Sequence, residues 1–288
     1  MRVSKGIRNT LLIFSTSLVI IVISGLIVFY PVFRMFNQSE VIQYDPELAI
    51  LIGGGNSIVL NSSDGETSLI VDTKMGPASK KILSRVTGKK VVLINTHLHP
   101  DHTGGNKYFP DAEVIAGRFS PDEWEQEMGS LPYPDHTINP GSEKVIPIGR
   151  ERVIIRNMGQ AHSQQDCVVF LKNRRFLITG DLLFEGIHPV LFNTISSSIK
   201  WRAALETLMD EFPVETVLPG HGPLATPESI RSMIRYFQDV EKVLAGTEIQ
   251  KTMVLKYSHL RKIPFVSGFG RTLRFMRFEA AQREAGRF

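Results

Sequence analysis

The sequence is poor in cysteine. Cys167 is the only one among 288 residues. That excludes a disulfide scaffold and any metal site built wholly of thiolates. A second long apolar run is also missing, which excludes a polytopic membrane protein. Neither sign of charge dominates: 33 Lys and Arg stand against 29 Asp and Glu, a net +4. The excess sits at the two ends. Residues 1–8 carry +3 and residues 251–288 carry +7, so the stretch between them is net acidic. This pattern argues against a nucleic-acid partner and leaves a basic tail near an anionic surface as an alternative. No repeat of fixed period and no low-complexity tract is present. What the chain does have is 42% hydrophobic residues, enough for a substantial core.

The one long apolar run is Leu11–Tyr30, twenty residues without a charge. At about 1.5 Å per helical residue it spans roughly 30 Å, the thickness of a bilayer core. Arg2, Lys5 and Arg8 precede it and only Arg34 follows closely. The positive-inside rule then predicts a single-pass transmembrane helix with a cytoplasmic N-terminus and an extracytoplasmic domain. A cleaved signal peptide is the competing reading. It would have a shorter apolar region, about 7–15 residues, and a small-residue cleavage site, which Tyr30-Pro31-Val32-Phe33-Arg34 does not offer.

The organisation expected is a cytoplasmic N-terminus over residues 1–10, an anchor over 11–30, a linker over 31–47, a catalytic domain over 48–246 and a basic, aromatic C-terminal extension over 247–288. Within the domain, Leu48–Gly53 and Ser57–Asn61 read as strands around a Gly54-Gly55-Asn56 turn, and Asp64-Gly65 leads into a third. A helix is expected over 78–87 and a fully apolar strand over 91–95. Further strands are expected over 114–116, 152–156, 167–171, 176–179 and 216–218. Helical spacing covers 199–212. A second helix begins at Thr226-Pro227 and closes at Gly246. Hairpins first and alternating helices later predict two sheets covered by helices, a layered α/β fold.

The chemistry lies in the histidines. Three fall within six residues, His97-Leu98-His99-Pro100-Asp101-His102, directly after the strand ending at Asn95. Residues two apart on extended backbone point the same way, so His97 and His99 can share one cation. Asp101 and His102 lie beyond the turn and can face a second. His162, Asp181 and His221 each follow a predicted strand as well. Imidazole with carboxylate and no thiolate suits zinc, and also iron or manganese. Two such ions sharing these seven ligands, with one carboxylate bridging, would generate hydroxide at neutral pH and polarise a scissile group.

In its order of motifs, His97-x-His99-x-Asp101-His102 followed by His162, Asp181 and His221, the chain resembles the metallo-β-lactamase superfamily from about residue 48 to 246. The resemblance implies a four-layer αββα sandwich with two Zn²⁺ in the cleft between the sheets. It further implies His97, His99 and His162 on the first metal, Asp101, His102 and His221 on the second, and Asp181 bridging. The metal-bound hydroxide would be the nucleophile, and Asp101 would pass a proton to the leaving group. Asp101 and Asp181 are thus the candidate catalytic residues. Asp181, with Cys167 fourteen residues too early to replace it, resembles hydrolases related to glyoxalase II and the lactonases. The helical glutathione-binding domain of glyoxalase II and the large insertion of the nucleases are not evident.

These readings predict a hydrolase for a small-molecule ester, thioester, lactone or amide. The alternatives are phosphodiester hydrolysis at the same site, or a non-catalytic metal- or partner-binding module. Among the remaining residues, His136, His188 and His259 read as structural, with His188 the likeliest of the three to line the pocket. Asp72, at a strand end, either hydrogen-bonds a ligand histidine or caps a turn. Cys167 reads as a small buried hydrophobe. The tail, with Arg271, Arg274 and Arg277 among phenylalanines, reads as a helix packed on the domain, or as a surface resting on lipid.

Overall fold

The computed structural model describes residue 30 and residues 39–192 and 195–286. The predicted span 11–30 therefore lies, apart from Tyr30, outside the described residues. Among those described, no helix is long and apolar enough to cross a membrane.

In chain order the strands and helices are β1 Glu40–Gln43, β2 Leu48–Ile52, β3 Ser57–Asn61, β4 Thr67–Val71, α1 Ser79–Leu83, β5 Lys90–Ile94, α2 Pro100–Thr103, β6 Glu113–Gly117, α3 Pro121–Met128, β7 His136–Ile138, β8 Glu143–Ile148, β9 Glu151–Asn157, β10 Cys167–Leu171, β11 Phe176–Ile178, α4 Ser198–Glu211, β12 Thr216–Leu218, α5 Pro227–Leu244, α6 Gln250–Lys256 and α7 Phe269–Glu284. They form two sheets, one of seven strands in the order β1 to β7 and one of five in the order β12-β11-β10-β9-β8. β1 to β4 are antiparallel neighbours, and β4, β5, β6 and β7 run parallel.

The core explains the layering. One apolar cluster, including Leu48, Ile58, Leu69, Ile94, Ile155, Val169 and Ile178, draws on both sheets and lies between them. A second joins Val168, Phe170 and Leu177 of the five-stranded sheet to Trp201, Leu205, Phe237, Phe269 and Met276 of the helices. A third covers the other sheet with Ile82 and Phe109. Strands buried on both faces read as continuous apolar runs, as Val91–Asn95 does. The expected αββα arrangement is therefore present.

Three expectations differ from the fold. The linker expected over 31–47 holds β1, which pairs with β2 from Glu40↔Ile52 to Gln43↔Ala49. Beyond it, the Arg174 guanidinium ties Asp45, Glu47 and Glu151 together at 2.6–2.7 Å. The helix expected over 78–87 is shorter: a single 3-10 turn leads into α1, which ends at Leu83. The extension over 247–288 belongs to the domain, because α7 buries Phe269, Leu273, Phe275 and Met276 in the core. Its Glu279 is 1% exposed and accepts hydrogen bonds from Ser197 Oγ at 2.8 Å and Ser198 N at 3.2 Å. A carboxylate there stabilises the N-terminus of α4 through the helix dipole. Arg271, Arg274 and Arg277 remain exposed.

Candidate metal centre

Each of the seven predicted residues sits just past a strand. β5 delivers Thr96, His97 and His99, and α2 then turns Asp101 and His102 back toward them. β9 and β10 flank the loop of His162. β11 ends at the 3-10 turn carrying Asp181, and β12 ends before His221. The parallel pair β11 and β12 sets Asp181 and His221 side by side. Gly220 is required between them: a methyl group there would overlap the Asp181 carboxylate.

The seven side chains converge as two groups. His97, His99, His162 and Asp181 form one, and Asp101, His102 and His221 the other, with the ligand atoms of each group within 4.8 Å of one another. Nδ1 of His99 lies 3.0 Å from both His97 Nε2 and His162 Nε2. Asp181 spans the two groups. Its Oδ2 lies 3.3 Å from His162 Nε2 and 3.8 Å from His97 Nε2, and its Oδ1 lies 3.1 Å from His102 Nε2 and 3.3 Å from His221 Nε2. Asp101 Oδ2 completes the second group, 3.2 Å from His221 Nε2.

The surroundings fix which ring nitrogen faces inward. His102 donates from Nδ1 to Asp72 Oδ2 at 2.7 Å, and His162 donates from Nδ1 to the Val190 carbonyl at 3.0 Å. Thr96 gives its hydroxyl proton to Asp72, so its oxygen is free to accept from His97 Nδ1 at 3.1 Å. In His97 and His162 this leaves the Nε2 lone pair aimed at the cluster, the tautomer a metal requires, and in His102 it does so once the ring gives up its second proton. His102 Nε2 and Asp181 Oδ1 are buried without a hydrogen-bond partner among the described residues. Converging lone pairs and orphaned buried polar atoms are costly on their own and are relieved by a cation between them. The donor set fits zinc, with iron and manganese also compatible.

Electrostatics divide the groups further. Burial holds His97 and His99 below the usual histidine range and His162 down to about 3, so these rings are neutral. Burial also opposes charge on His102 and His221. There, however, Asp181 with Asp72 and Asp101 outweighs it, raising His102 well above its ordinary value and His221 to about 9. Burial would raise Asp101 and Asp181. His102 and His221 instead draw Asp101 down to about 2 and hold Asp181 well below the carboxylate range. The second group is thus the more strongly charged.

Of the other histidines, His188 is buried against Tyr236, with Nδ1 3.0 Å from its hydroxyl, and lies in neither group, in keeping with the structural reading. His136 Nε2 lies 3.0 Å from Glu113 Oε1 at the surface. Asp72 supports His102, as one of its two readings held. Cys167 is buried in β10, and burial pushes its thiol up. Asp166 follows the loop of His162 and packs beneath it. It accepts hydrogen bonds from Ala161 N, Ser163 N and Ser163 Oγ at 2.8–3.1 Å and so shapes the loop of His162. Phe192 was not singled out: its ring centroid lies 5.2 Å from that of His99. Beside it a cleft of about 190 Å³ is lined by Leu98, Phe119, Phe192 and Ile195, with His99, Glu127, Ser163 and Gln164 as polar members.

Comparison with known proteins agrees with the geometry. A family model described as the metallo-beta-lactamase superfamily matches residues 51–221. An acyl-coenzyme A thioesterase MBLAC2 of Homo sapiens is 27% identical over 158 residues, 46% of this chain and 56% of that protein. A hydroxyacylglutathione hydrolase of Synechococcus sp. (strain CC9605) is 28% identical over 156 residues, 51% of this chain and 58% of that one. The chain thus matches little more than half the length of these two relatives. A metallo-beta-lactamase from Pontibacter korlensis superposes with a TM-score of 0.60 at 20% identity, covering 70% of this chain and 99% of that one, a likeness of fold. With the family model covering more than half of its length, the chain belongs to the metallo-beta-lactamase superfamily.

Proposed function

We propose that this protein is a dinuclear zinc hydrolase that cleaves an ester, thioester, lactone or amide whose acyl part is apolar. The observation that carries the reading is the split of Asp181, one oxygen toward each ligand group. Two cations bound there would supply hydroxide at neutral pH and polarise the carbonyl. The protein's own part is positional. Asp181 sets the separation of the two groups, and the buried histidines keep their lone pairs inward. Asp101, partly exposed at the edge of the cluster and ionised at rest, would accept a proton in the course of the reaction and pass it to the leaving group.

The cleft beside His99 supports an apolar acyl group. Its apolar walls are Leu98, Phe119, Phe192 and Ile195, around a cavity of about 190 Å³. Glu127 disfavours an anionic group there, which weighs against a phosphodiester. The relatives named as a thioesterase and a hydroxyacylglutathione hydrolase support carbonyl chemistry. The apolar run of residues 11–30 supports a single-pass anchor that holds the domain at the outer face of a membrane.

The test is elemental analysis of the purified full chain, followed by a panel of chromogenic carbonyl esters, thioesters, lactones and phosphodiesters. About two metal ions per chain, with turnover of carbonyl substrates, is the expected result. A folded chain that takes up no metal when zinc is supplied would leave the binding-module reading in its place. Turnover of phosphodiesters alone would change the substrate class.

A further inference from the structure

Lys74 is a lysine with 1% exposure, set three residues past β4. Its backbone is left-handed at φ 59°, a conformation side-chain-bearing residues rarely adopt. Its ammonium explains why it is there. Nζ donates to the Gly53 carbonyl at 2.6 Å and to the Gly55 carbonyl at 2.5 Å. Both carbonyls belong to the turn between β2 and β3.

That turn rests directly on the second ligand group. A methyl group on Gly55 would lie 2.8 Å from His102 Nε2 and would overlap the Asp101 carbonyl. Asn56, the next residue, donates from Nδ2 to Pro219 O at 2.9 Å and Gly222 O at 2.8 Å. Its backbone N–H donates to Gly220 O at 2.7 Å. These carbonyls flank His221. One amine, acting through one turn, therefore fixes the loop of Asp101 and His102 relative to the loop of His221. Among the described residues, no hydrogen bond joins this turn to His97, His99 or His162 of the first group.

We propose that Lys74 is a positioning residue for the second cation, acting through the Gly53–Asn56 turn. The inference rests on the dinuclear reading above and goes beyond it by separating the two sites. It does not depend on the charge of the amine. Burial draws Lys74 down to about 7 against the pull of Asp101 and Asp72, but a neutral amine still has two N–H groups for two carbonyls.

The test is a cobalt(II) titration of the metal-stripped full chain in detergent, read by visible absorption, with thermal melting alongside. Lys74→Met removes both donors while keeping the side chain's bulk. Lys74→Gly removes them while relieving the left-handed backbone. Gly55→Ala displaces the turn and leaves Lys74 intact. All three should weaken the second ion at least tenfold and leave the first unchanged, because partners outside the ligand shell change metal affinity by about 10–100-fold. Wild type and variants that load both ions equally well would overturn the inference and leave the dinuclear reading standing. Equal weakening of both ions in every variant would assign Lys74 to the fold alone and also overturn it. A wild-type chain that binds no cobalt would overturn both.

Discussion

Asp72 accepts the Nδ1 proton of His102 at 2.7 Å, and neither side chain is more than 1% exposed. The same carboxylate accepts from Thr96 N and Thr96 Oγ1, and that threonine in turn faces His97 Nδ1. One buried acid at the end of β4 thus orients a histidine in each ligand group. Asp72→Ala should lower affinity for both ions, by about 10–100-fold. Competition of the variant with a chelator of known affinity would measure it. Unchanged affinity would mean the rings are held by packing alone.

Asp181 is the one candidate ligand whose two oxygens face both groups. Asp181→Ala, like His97→Ala, is expected to abolish turnover, a loss of roughly 10³-fold or more. The fold should persist, since neither Asp181 nor His97 belongs to the apolar clusters that hold the layers together. Circular dichroism with steady-state kinetics on the same preparation distinguishes lost chemistry from lost structure. Turnover unchanged by Asp181→Ala would sink the assignment.

The ligand set was legible because its signal is local. Two histidines at a spacing of two on a strand end must point together, and each later ligand follows a recognisable apolar strand. What was not legible depends on contacts far apart in sequence. Nothing in Val71-Asp72-Thr73-Lys74 says that Lys74 folds inward, because its partners Gly53 and Gly55 lie about twenty residues away. β1 is short and half-polar, and it becomes a strand only by pairing with β2. The basic tail forms the packed helix expected of it, but its apolar residues are interrupted by exposed arginines, which is why it reads as an extension rather than as part of the core. α3 was legible and passed over: Ser120-Pro121 with Glu123 spells a capping box, and both of its hydrogen bonds form.

Trp201 links the core to the site. It is fully buried, donates from Nε1 to the Leu182 carbonyl at 2.9 Å, and packs edge-on to His162 with ring centroids 5.2 Å apart. Trp201→Ala should destabilise the fold by about 3–5 kcal/mol, from the cavity and the orphaned carbonyl. It should also weaken metal binding, as His162 loses a wall. Chemical denaturation of the metal-loaded and stripped forms would show both effects. A loss below about 1 kcal/mol would mean the helical layer repacks around the gap.

Removing the metal should make stability depend on pH in a definite direction. In the stripped protein, His102 and His221 hold protons that the unfolded chain releases above about 6.5. Their folded values are raised, so their contribution is complete below that pH and is lost as pH rises through about 9 for His221. Lys74 works the other way. Its folded value is lowered to about 7, so above that pH the unfolded chain holds a proton the folded chain lacks. Between pH 7 and 9 the folded state thus keeps two protons and gives up one. Stability should therefore fall as pH rises, by about 1.4 kcal/mol per pH unit for the net proton, of order 2 kcal/mol across the window. The melting temperature of the stripped chain should drop by several degrees from pH 7 to pH 9. With zinc bound, cations replace those protons, so the drop should disappear and metal affinity should rise with pH. A stripped protein whose melting temperature rises over this window would show that His102 and His221 are not both protonated, and that the second group is less charged than its geometry requires.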